Sequence, residues 1–124
     1  MHPRKYYHVI VTGSASYDDF PALVERLDHL LKNKLPNVVI VSGSHVDADF
    51  MGEEYARMRG LRCHIFPPDF ERLGDRAPFH RNAQMANFAD ALVVFYTRTS
   101  SALSHLIRLA HEKGLPTRTI EEVR

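Results

Sequence analysis

The stretch His8-Val9-Ile10-Val11-Thr12-Gly13-Ser14-Ala15-Ser16 is a β-branched, apolar run that ends in a turn of small residues. β-Branched residues favour strands, and a glycine permits the sharp exit from a sheet that such a turn requires. The same unit recurs as Val38-Val39-Ile40-Val41-Ser42-Gly43-Ser44. Neither run alternates polar with apolar residues, which is typical of central strands that helices cover on both faces.

Helix-patterned segments separate five such runs along the chain. The runs cover Tyr7 to Thr12, Val38 to Ser42, Arg62 to Phe66, Ala91 to Phe95 and Pro116 to Ile120. Strands that alternate with helices favour a parallel sheet. We therefore expect one α/β domain over residues 1–124, with a mainly parallel five-stranded sheet that helices cover on both faces.

Composition disfavours several classes of protein. The 124 residues carry a formal net charge of +1, with no block of like charges, so we expect no nucleic-acid or membrane partner. The single cysteine, Cys63, cannot form an internal disulfide, and it is expected to be buried and unreactive. We expect no signal peptide, and no apolar stretch approaches the roughly 20 residues that span a bilayer. These features predict a cytoplasmic protein with a small-molecule partner.

Turns at the carboxyl ends of parallel strands lie along one edge of the sheet, where open α/β sheets bind ligands. Small residues and helix amino termini at such an edge favour a phosphate or carboxylate, although every strand-to-helix turn also uses small residues. The segments expected at this edge are Gly13 to Tyr17, Ser42 to Asp49, the extended connection at residues 67 to 77, and Thr97 to Ser101.

Several short motifs occur in an order that resembles a known family. They are Val11-Thr12-Gly13-Ser14, Ser16-Tyr17, Val41-Ser42-Gly43, Ala48-Asp49, Gly52-Glu53, Tyr55-Ala56, Phe66-Pro67, Arg81-Asn82, Met85 and Ala89-Asp90-Ala91-Leu92. As a series they resemble the YspA/YpsA-related branch of the SLOG (Smf/DprA and Lonely Guy) superfamily. The resemblance implies a single SLOG-type domain, a Rossmann-like three-layer α/β/α sandwich with a mainly parallel five-stranded sheet of order 3-2-1-4-5. It also implies that the domain binds nucleotides or nucleotide-derived ligands at the strand ends and forms a homo-oligomer.

The chain departs from the family pattern at the glycine-rich turns. Relatives read Gly-Ser-Arg after the first strand, Gly-Gly-Ala-Arg-Gly-Ala-Asp after the second, and Gly-Thr at the last helix. This chain has Ala15, then Gly43 to Asp49 as Gly-Ser-His-Val-Asp-Ala-Asp, and Ala102-Leu103. Arginine loss removes phosphate contacts, and added side chains narrow the approach to the backbone. We therefore expect a less anionic ligand, such as a nucleoside or base, or a site that has lost its ancestral ligand.

The turns and the resemblance together give the candidate ligand-binding residues. Arg81 is the candidate for a remaining anion contact, with a solvated first helical turn as the alternative, and Tyr17 or Tyr96 is a candidate for stacking on a base. The full set is Gly13, Ser14, Ser16, Tyr17, Ser42, Gly43, Ser44, His45, Asp49, Arg81, Asn82, Ser100 and Ser101.

Catalysis and metal binding have weaker support. Asp49 and Glu53 stand one helical turn apart and are weak candidates for a catalytic carboxylate pair, with charge stabilisation of the helix amino end as the alternative. Eight histidines do not reproduce a zinc-ligand spacing, so we expect no metal and no cofactor.

Three functions remain open on the sequence. The first is binding of a nucleotide, nucleoside or NAD/ADP-ribose derivative, as in a sensor. The second, by similarity to Lonely Guy enzymes and nucleoside deoxyribosyltransferases, is a nucleotide N-glycosidase or phosphoribohydrolase. Those relatives place a glutamate on the last helix, whereas this chain has no acidic residue between Thr97 and His111. The third is an interaction scaffold with a degenerate pocket.

Overall fold

A computed structural model describes residues 5–122 and contains a parallel sheet of five strands. The strands are β1 (Tyr7–Gly13), β2 (Val38–Ser42), β3 (Arg62–Ile65), β4 (Ala91–Tyr96) and β5 (Thr117–Glu121). Their order in the sheet is β3-β2-β1-β4-β5, and all four neighbouring pairs are parallel. The predicted fold class and strand order are therefore confirmed, and each strand boundary lies within one residue of its predicted place.

The helices cover both faces of the sheet, which gives the three layers. Within residues 5–122 they are α1 (Phe20–Leu30), α2 (Asp47–Met58), α3 (Phe70–Leu73), α4 (Ala77–Phe88) and α5 (Ser101–Glu112). Along β1, Val9 and Val11 face the cluster formed with α1 and α2, while Ile10 faces the cluster formed with α4 and α5. Burial on both faces explains the uninterrupted apolar runs of the central strands.

Small residues bring α2 close to β1. A Cβ atom at Gly52 would lie 2.9 Å from the Val11 Cβ atom, and one at Gly13 would lie 1.6 Å from the Phe95 carbonyl oxygen. Both distances are shorter than van der Waals contact, so glycine is required for this approach. The amino end of α2 is thereby held against the carboxyl ends of β1 and β4.

The connection after β3 differs from its prediction. Instead of an extended loop, it contains α3 and a 3₁₀ turn at Gly74–Arg76. The Asp69 carboxylate accepts a hydrogen bond from the Arg72 N–H at 3.2 Å and so caps α3. The Phe70 side chain on this short helix is 45% exposed and packs against the His45 ring, with a centroid separation of 5.3 Å.

Cys63 is half-buried in β3, and burial raises the pKa of its thiol to about 11. A thiol with such a pKa is almost fully protonated at neutral pH, so it is a poor nucleophile, as predicted.

None of the helices within residues 5–122 has the length and apolar character that crossing a membrane requires.

Candidate functional site

The carboxyl ends of β1, β2 and β4 converge on a cleft of about 500 Å³. This volume falls within the range typical of small-molecule sites. Residues that the sequence placed at this edge form most of its wall, so the predicted convergence of the turns is present in the structure. The lining consists of Gly13, Ser14, Ala15, Ser16, His45, Val46, Pro78, Arg98, Thr99, Ser100 and Ala102.

An inner chamber of about 50 Å³ adjoins the floor of this cleft. Gly13, His45, Val46, Ser100 and Ala102 line both spaces, which shows that the two are contiguous. A chamber of this size has room for a small polar group or a water molecule, and not for a whole base or sugar. Its further lining residues are Thr12, Asp49, Arg81, Asn82, Leu103 and Leu106.

Asp49 is the most unusual residue in the inner chamber. Its side chain is only 2% exposed, and its Oδ2 atom accepts hydrogen bonds from the backbone N–H groups of His45 (3.0 Å) and Val46 (3.1 Å). Its Oδ1 atom is buried and has no hydrogen-bond partner among the described residues. Burial raises the pKa of this carboxyl, against the opposing effects of the backbone hydrogen bonds, of Arg81 and of the neighbouring Thr12 hydroxyl, which makes no hydrogen bond to Oδ1 in this structure. A buried acceptor without a donor is a position that a ligand can satisfy.

Arg81 lies beside the chamber and is bound to the protein itself. It is 6% exposed, and its Nη1 atom donates to the Gly43 carbonyl oxygen at 2.8 Å. A Cβ atom at Gly43 would lie 2.1 Å from Nη1, so this glycine makes room for the guanidinium rather than for a phosphate. Burial lowers the pKa of Arg81, while the Asp49 carboxylate favours its charged form. The alternative interpretation of Arg81, a solvated first helical turn, is wrong, because Arg81 is buried.

The serines after β1 join neighbouring turns. Ser14 is buried, and its hydroxyl accepts hydrogen bonds from the backbone N–H groups of Thr97 at 2.7 Å and Arg98 at 3.5 Å. The hydroxyl oxygens of Ser16 and Thr97 lie 2.6 Å apart and share a hydrogen bond. These bonds fix the loop after β4 against the turn after β1, and they set the width of the outer cleft.

Polar side chains at the end of β2 and on α2 are engaged in hydrogen bonds within the protein. The Ser42 hydroxyl donates to the Glu53 carboxylate at 2.7 Å and accepts from the Ser44 N–H at 3.0 Å. Glu53 is therefore engaged with Ser42, and Asp49 with the backbone, so the structure does not combine them as one catalytic pair. Ser44 has a φ of 50°, in the left-handed region that favours glycine.

Of the two tyrosines predicted to stack on a base, Tyr17 is in the core. It is 2% exposed and packs against the Phe95 ring at 5.5 Å, which leaves no free ring face for a ligand. Burial also raises the pKa of its hydroxyl to about 12. Tyr96 packs on the cluster formed with α4 and α5. Neither ring lines the cleft, because Tyr17 lies in the core and the partly buried Tyr96 packs against that cluster.

The last helix contributes its capped amino end. The Ser100 hydroxyl accepts a hydrogen bond from the Leu103 N–H at 3.2 Å, which makes Ser100 the N-cap of α5. Ser101 begins the helix on the exposed side and does not line either space. Eight of the thirteen predicted residues line the cleft or the chamber: Gly13, Ser14, Ser16, His45, Asp49, Arg81, Asn82 and Ser100. The other five do not line either space: Tyr17, Ser42, Gly43, Ser44 and Ser101.

The structure adds residues that sequence reasoning did not select. Arg98 and Thr99 line the outer cleft after β4, and Pro78 reaches it from the start of α4. Arg98 lies inside the segment Thr97 to Ser101, which the sequence placed at the sheet edge. Its positive charge close to the amino end of the last helix could have indicated that it contacts an anionic ligand. Among the residues that line the outer cleft, Arg98 and His45 bear ionisable side chains and none bears a carboxylate.

Further cavities lie elsewhere on the described surface, among them one of about 440 Å³ that is lined by Leu73, Arg76, Phe79 and His80. One of about 500 Å³ lies outside β3, α3 and α4, and another of about 830 Å³ lies at the opposite edge of the sheet. Among the described residues, the buried side-chain atom without a partner is Asp49 Oδ1, and Asp49 lines none of these further cavities. No group of three or more His, Cys, Asp or Glu residues within 5–122 is arranged to hold a metal ion.

A five-stranded parallel sheet of this order, with helices on both faces and a cleft at its carboxyl edge, defines the class of Rossmann-like α/β domains. The chain belongs to the YAcAr family, described as the YspA, cpYpsA-related SLOG family, whose model matches residues 7–73, more than half of the chain. The predicted family is therefore confirmed. A comparison with curated proteins found no match.

The X-ray structure of DNA processing protein A (DprA) from Streptococcus pneumoniae has the same fold. The two structures superimpose with a TM-score of 0.70 at 19% sequence identity, over 96% of this chain and 51% of the DprA chain. This chain thus spans about half the length of that protein. At this identity the likeness shows the fold alone.

Proposed function

We propose that the protein binds a nucleotide-related small molecule, a nucleoside, nucleoside monophosphate or ADP-ribose derivative, in the cleft at the carboxyl ends of β1, β2 and β4. The observation that carries the proposal is the buried, unpartnered Oδ1 atom of Asp49 on the wall of the inner chamber. An unsatisfied buried acceptor costs about 1 to 3 kcal/mol of folding free energy. A ligand hydroxyl or amino group that donates to this atom recovers that cost on binding.

The inner and outer spaces favour different parts of such a ligand. The inner chamber contains a carboxylate, so it favours a hydrogen-bond donor such as a ribose hydroxyl and disfavours a phosphate. The outer cleft contains Arg98, His45, the Ser16 and Thr99 hydroxyls and the start of α5, a set that favours an anion or a carbonyl. A nucleotide whose ribose hydroxyl points into the inner chamber and whose phosphate lies in the outer cleft matches the preferences of both spaces. A role as a cytoplasmic sensor and a homo-oligomeric state remain part of the proposal.

The enzymatic alternative also depends on Asp49. A buried carboxyl with a raised pKa in a cleft is typical of groups that transfer protons in catalysis. Hydrolysis of an N-glycosidic bond would use Asp49 to activate water or to stabilise the sugar cation. Incubation with adenosine, AMP and NAD, followed by chromatography for free adenine or nicotinamide, tests this alternative, and Asp49→Asn must abolish any release.

The binding proposal is tested by thermal unfolding and calorimetry with adenosine, AMP, ADP-ribose and NAD. A ligand at one hundred times its Kd stabilises the folded state by about 2.7 kcal/mol, which is easily detected. Asp49→Asn is expected to weaken binding at least tenfold. The matched control is Asp47→Asn, because Asp47 is exposed on the first turn of the same helix and lines neither space.

A panel that gives no stabilisation at millimolar concentration contradicts the proposal and favours the scaffold alternative. Equal losses of affinity for Asp47→Asn and Asp49→Asn would instead indicate a general charge effect. Arg81→Ala is a poor test, because it also removes the hydrogen bond to the Gly43 carbonyl and so changes the fold locally.

A further inference from the structure

A chain of side-chain hydrogen bonds runs from the surface of α5 to the inner chamber. We propose that Asn82 and His105 are positioning residues for Arg81, and that they hold its guanidinium beside the chamber only while His105 is neutral. The proposal gives the cleft a proton-linked control. It rests on the proposed function for its effect on ligand binding, whereas the hydrogen-bond chain itself is testable without ligand.

The chain has four contacts. Arg81 Nη1 donates to the Gly43 carbonyl at 2.8 Å, and Arg81 Nε donates to Asn82 Oδ1 at 3.2 Å. Asn82 Nδ2 donates to the Ala102 carbonyl oxygen at 2.8 Å and lies 3.3 Å from His105 Nδ1. Asn82 is 2% exposed, so it cannot exchange these partners for water at low cost.

Two of these contacts determine the orientation of the Asn82 amide. A guanidinium Nε can only donate, so it requires the Asn82 oxygen on its side. A backbone carbonyl can only accept, so Ala102 requires the Asn82 nitrogen on the other side. The nitrogen is therefore the atom that faces His105, independently of how the imidazole is protonated.

This orientation selects one form of His105. Because a donor faces its Nδ1 atom, Nδ1 must accept, and the ring must be the neutral tautomer with its proton on Nε2. The surroundings of the His105 ring favour its neutral state. On the side of α4, the ring contacts Asn82 and the Phe79 ring, whose centroid lies 5.1 Å away. On α5 its charged neighbours are Arg108 and Glu112, and burial, followed by the Arg108 charge, lowers the pKa of His105.

Protonation of His105 places two donors opposite each other at the contact with Asn82. The amide then either loses this bond or turns over, and after turning it presents a donor to Arg81 Nε. Arg81 keeps its bond to Gly43 but loses the one that fixes its plane. We expect the affinity of the cleft for AMP to fall by about tenfold as the pH drops through the pKa of His105, which lies below its usual 6.5.

Asp49 is a second titratable group in the chamber, and burial raises its pKa, so variants must separate its effect from that of His105. His105→Asn supplies an oxygen at the place of Nδ1 and cannot become protonated there, whereas His105→Leu removes the acceptor. His111→Asn is the matched control, because His111 is exposed near the end of the same helix and carries the same helix-propensity cost.

The experiment measures AMP affinity by calorimetry from pH 8 to pH 5 and the His105 nitrogen shifts by NMR without ligand. The expected result is an Nε2–H tautomer, a pH-dependent loss for the parent protein and His111→Asn, and a reduced loss for His105→Asn. A proton on Nδ1 in the free protein, or identical pH profiles for the parent protein and His105→Asn, overturns the proposal. If AMP fails to bind the parent protein at pH 8, the proposed function fails, and the tautomer still decides the hydrogen-bond chain.

Discussion

The turns after β1 and β2 have similar sequences but differ in the structure. After β1, the Ser14 hydroxyl accepts two backbone N–H groups, and Ser16 bonds to Thr97, so these side chains join two turns of the protein. After β2, Asp49 leaves one carboxylate oxygen without a partner, and Ser44 adopts a φ of 50°. A turn of small residues therefore does not by itself indicate a ligand site. The difference lies in which polar atoms the protein leaves unsatisfied.

The largest expected effect comes from Gly13→Ala in the turn after β1. The new Cβ atom would lie 1.6 Å from the Phe95 carbonyl oxygen and 2.9 Å from the Ala48 Cβ atom, so backbone must move. We expect a loss of about 4 kcal/mol or more in the free energy of unfolding, measured by urea denaturation.

Gly60→Ala is the control for this change. A Cβ atom added at Gly60 would have no neighbouring atom within 4 Å, and this residue has a φ of +66°. A cost of about 1 kcal/mol is expected there. Similar losses at the two positions would contradict close packing between β1 and β4 as the reason for Gly13.

Gly43→Ala tests the turn after β2 in the same way, with a smaller expected effect. Its new Cβ atom would meet Arg81 Nη1 at 2.1 Å, which is the end of a flexible side chain. Arg81 can move, so we expect a folded protein that is about 2 kcal/mol less stable, with weakened AMP binding. Urea denaturation and calorimetry measure the two effects. Unchanged binding in this variant would show that the position of Arg81 does not affect the cleft.

Asp49→Asn is expected to change the pH dependence of stability. Burial raises the folded-state pKa of Asp49 above its unfolded value of 3.8, so the contribution of this group is fully present below pH 3.8 and is lost as the pH rises through the folded pKa. The amide avoids that loss. The variant should therefore equal or exceed the parent protein in stability at pH 7, by up to about 1 kcal/mol, with the difference shrinking towards pH 4.

Thermal unfolding from pH 4 to pH 8 measures this change. A variant that is several kcal/mol less stable than the parent protein at pH 7 would show that the Asp49 carboxylate is a structural cap, with no cost from its unpartnered oxygen.

Ser44→Gly should give the smallest effect. Glycine adopts a φ of 50° without the steric cost that serine carries, so an increase of about 0.5 to 1 kcal/mol in stability is expected. Ser16→Gly is a comparison in the turn after β1, where the lost hydroxyl bond to Thr97 should lower stability. Destabilisation by Ser44→Gly would mean that the Ser44 side chain contributes more than its backbone conformation costs.

Periodicity and the apolar runs were sufficient to predict the parallel sheet and its strand boundaries, because central strands buried on both faces leave an uninterrupted pattern. The strand order came with the Rossmann-like fold that the family resemblance implies. The edge containing the cleft followed from the same topology. The direction of individual side chains could not be predicted from the topology. Tyr17 turns into the core beside Phe95, and Arg81 is buried against the Gly43 carbonyl. The spacing of residues along the sequence does not determine which carbonyl accepts a hydrogen bond from a guanidinium. It also does not show that one carboxylate oxygen of Asp49 lacks a hydrogen-bond donor.

Chemical-shift mapping with AMP on uniformly labelled protein at pH 8 tests the central claim most directly. The account predicts saturable shifts at Gly13 to Ser16, at His45 with the Asp49 segment, and at Thr99 to Ala102, and their loss in Asp49→Asn. Saturable shifts that instead cluster around Phe66, Arg72 and His80, in the cavity outside α3 and α4, would contradict it, as would the absence of any shift.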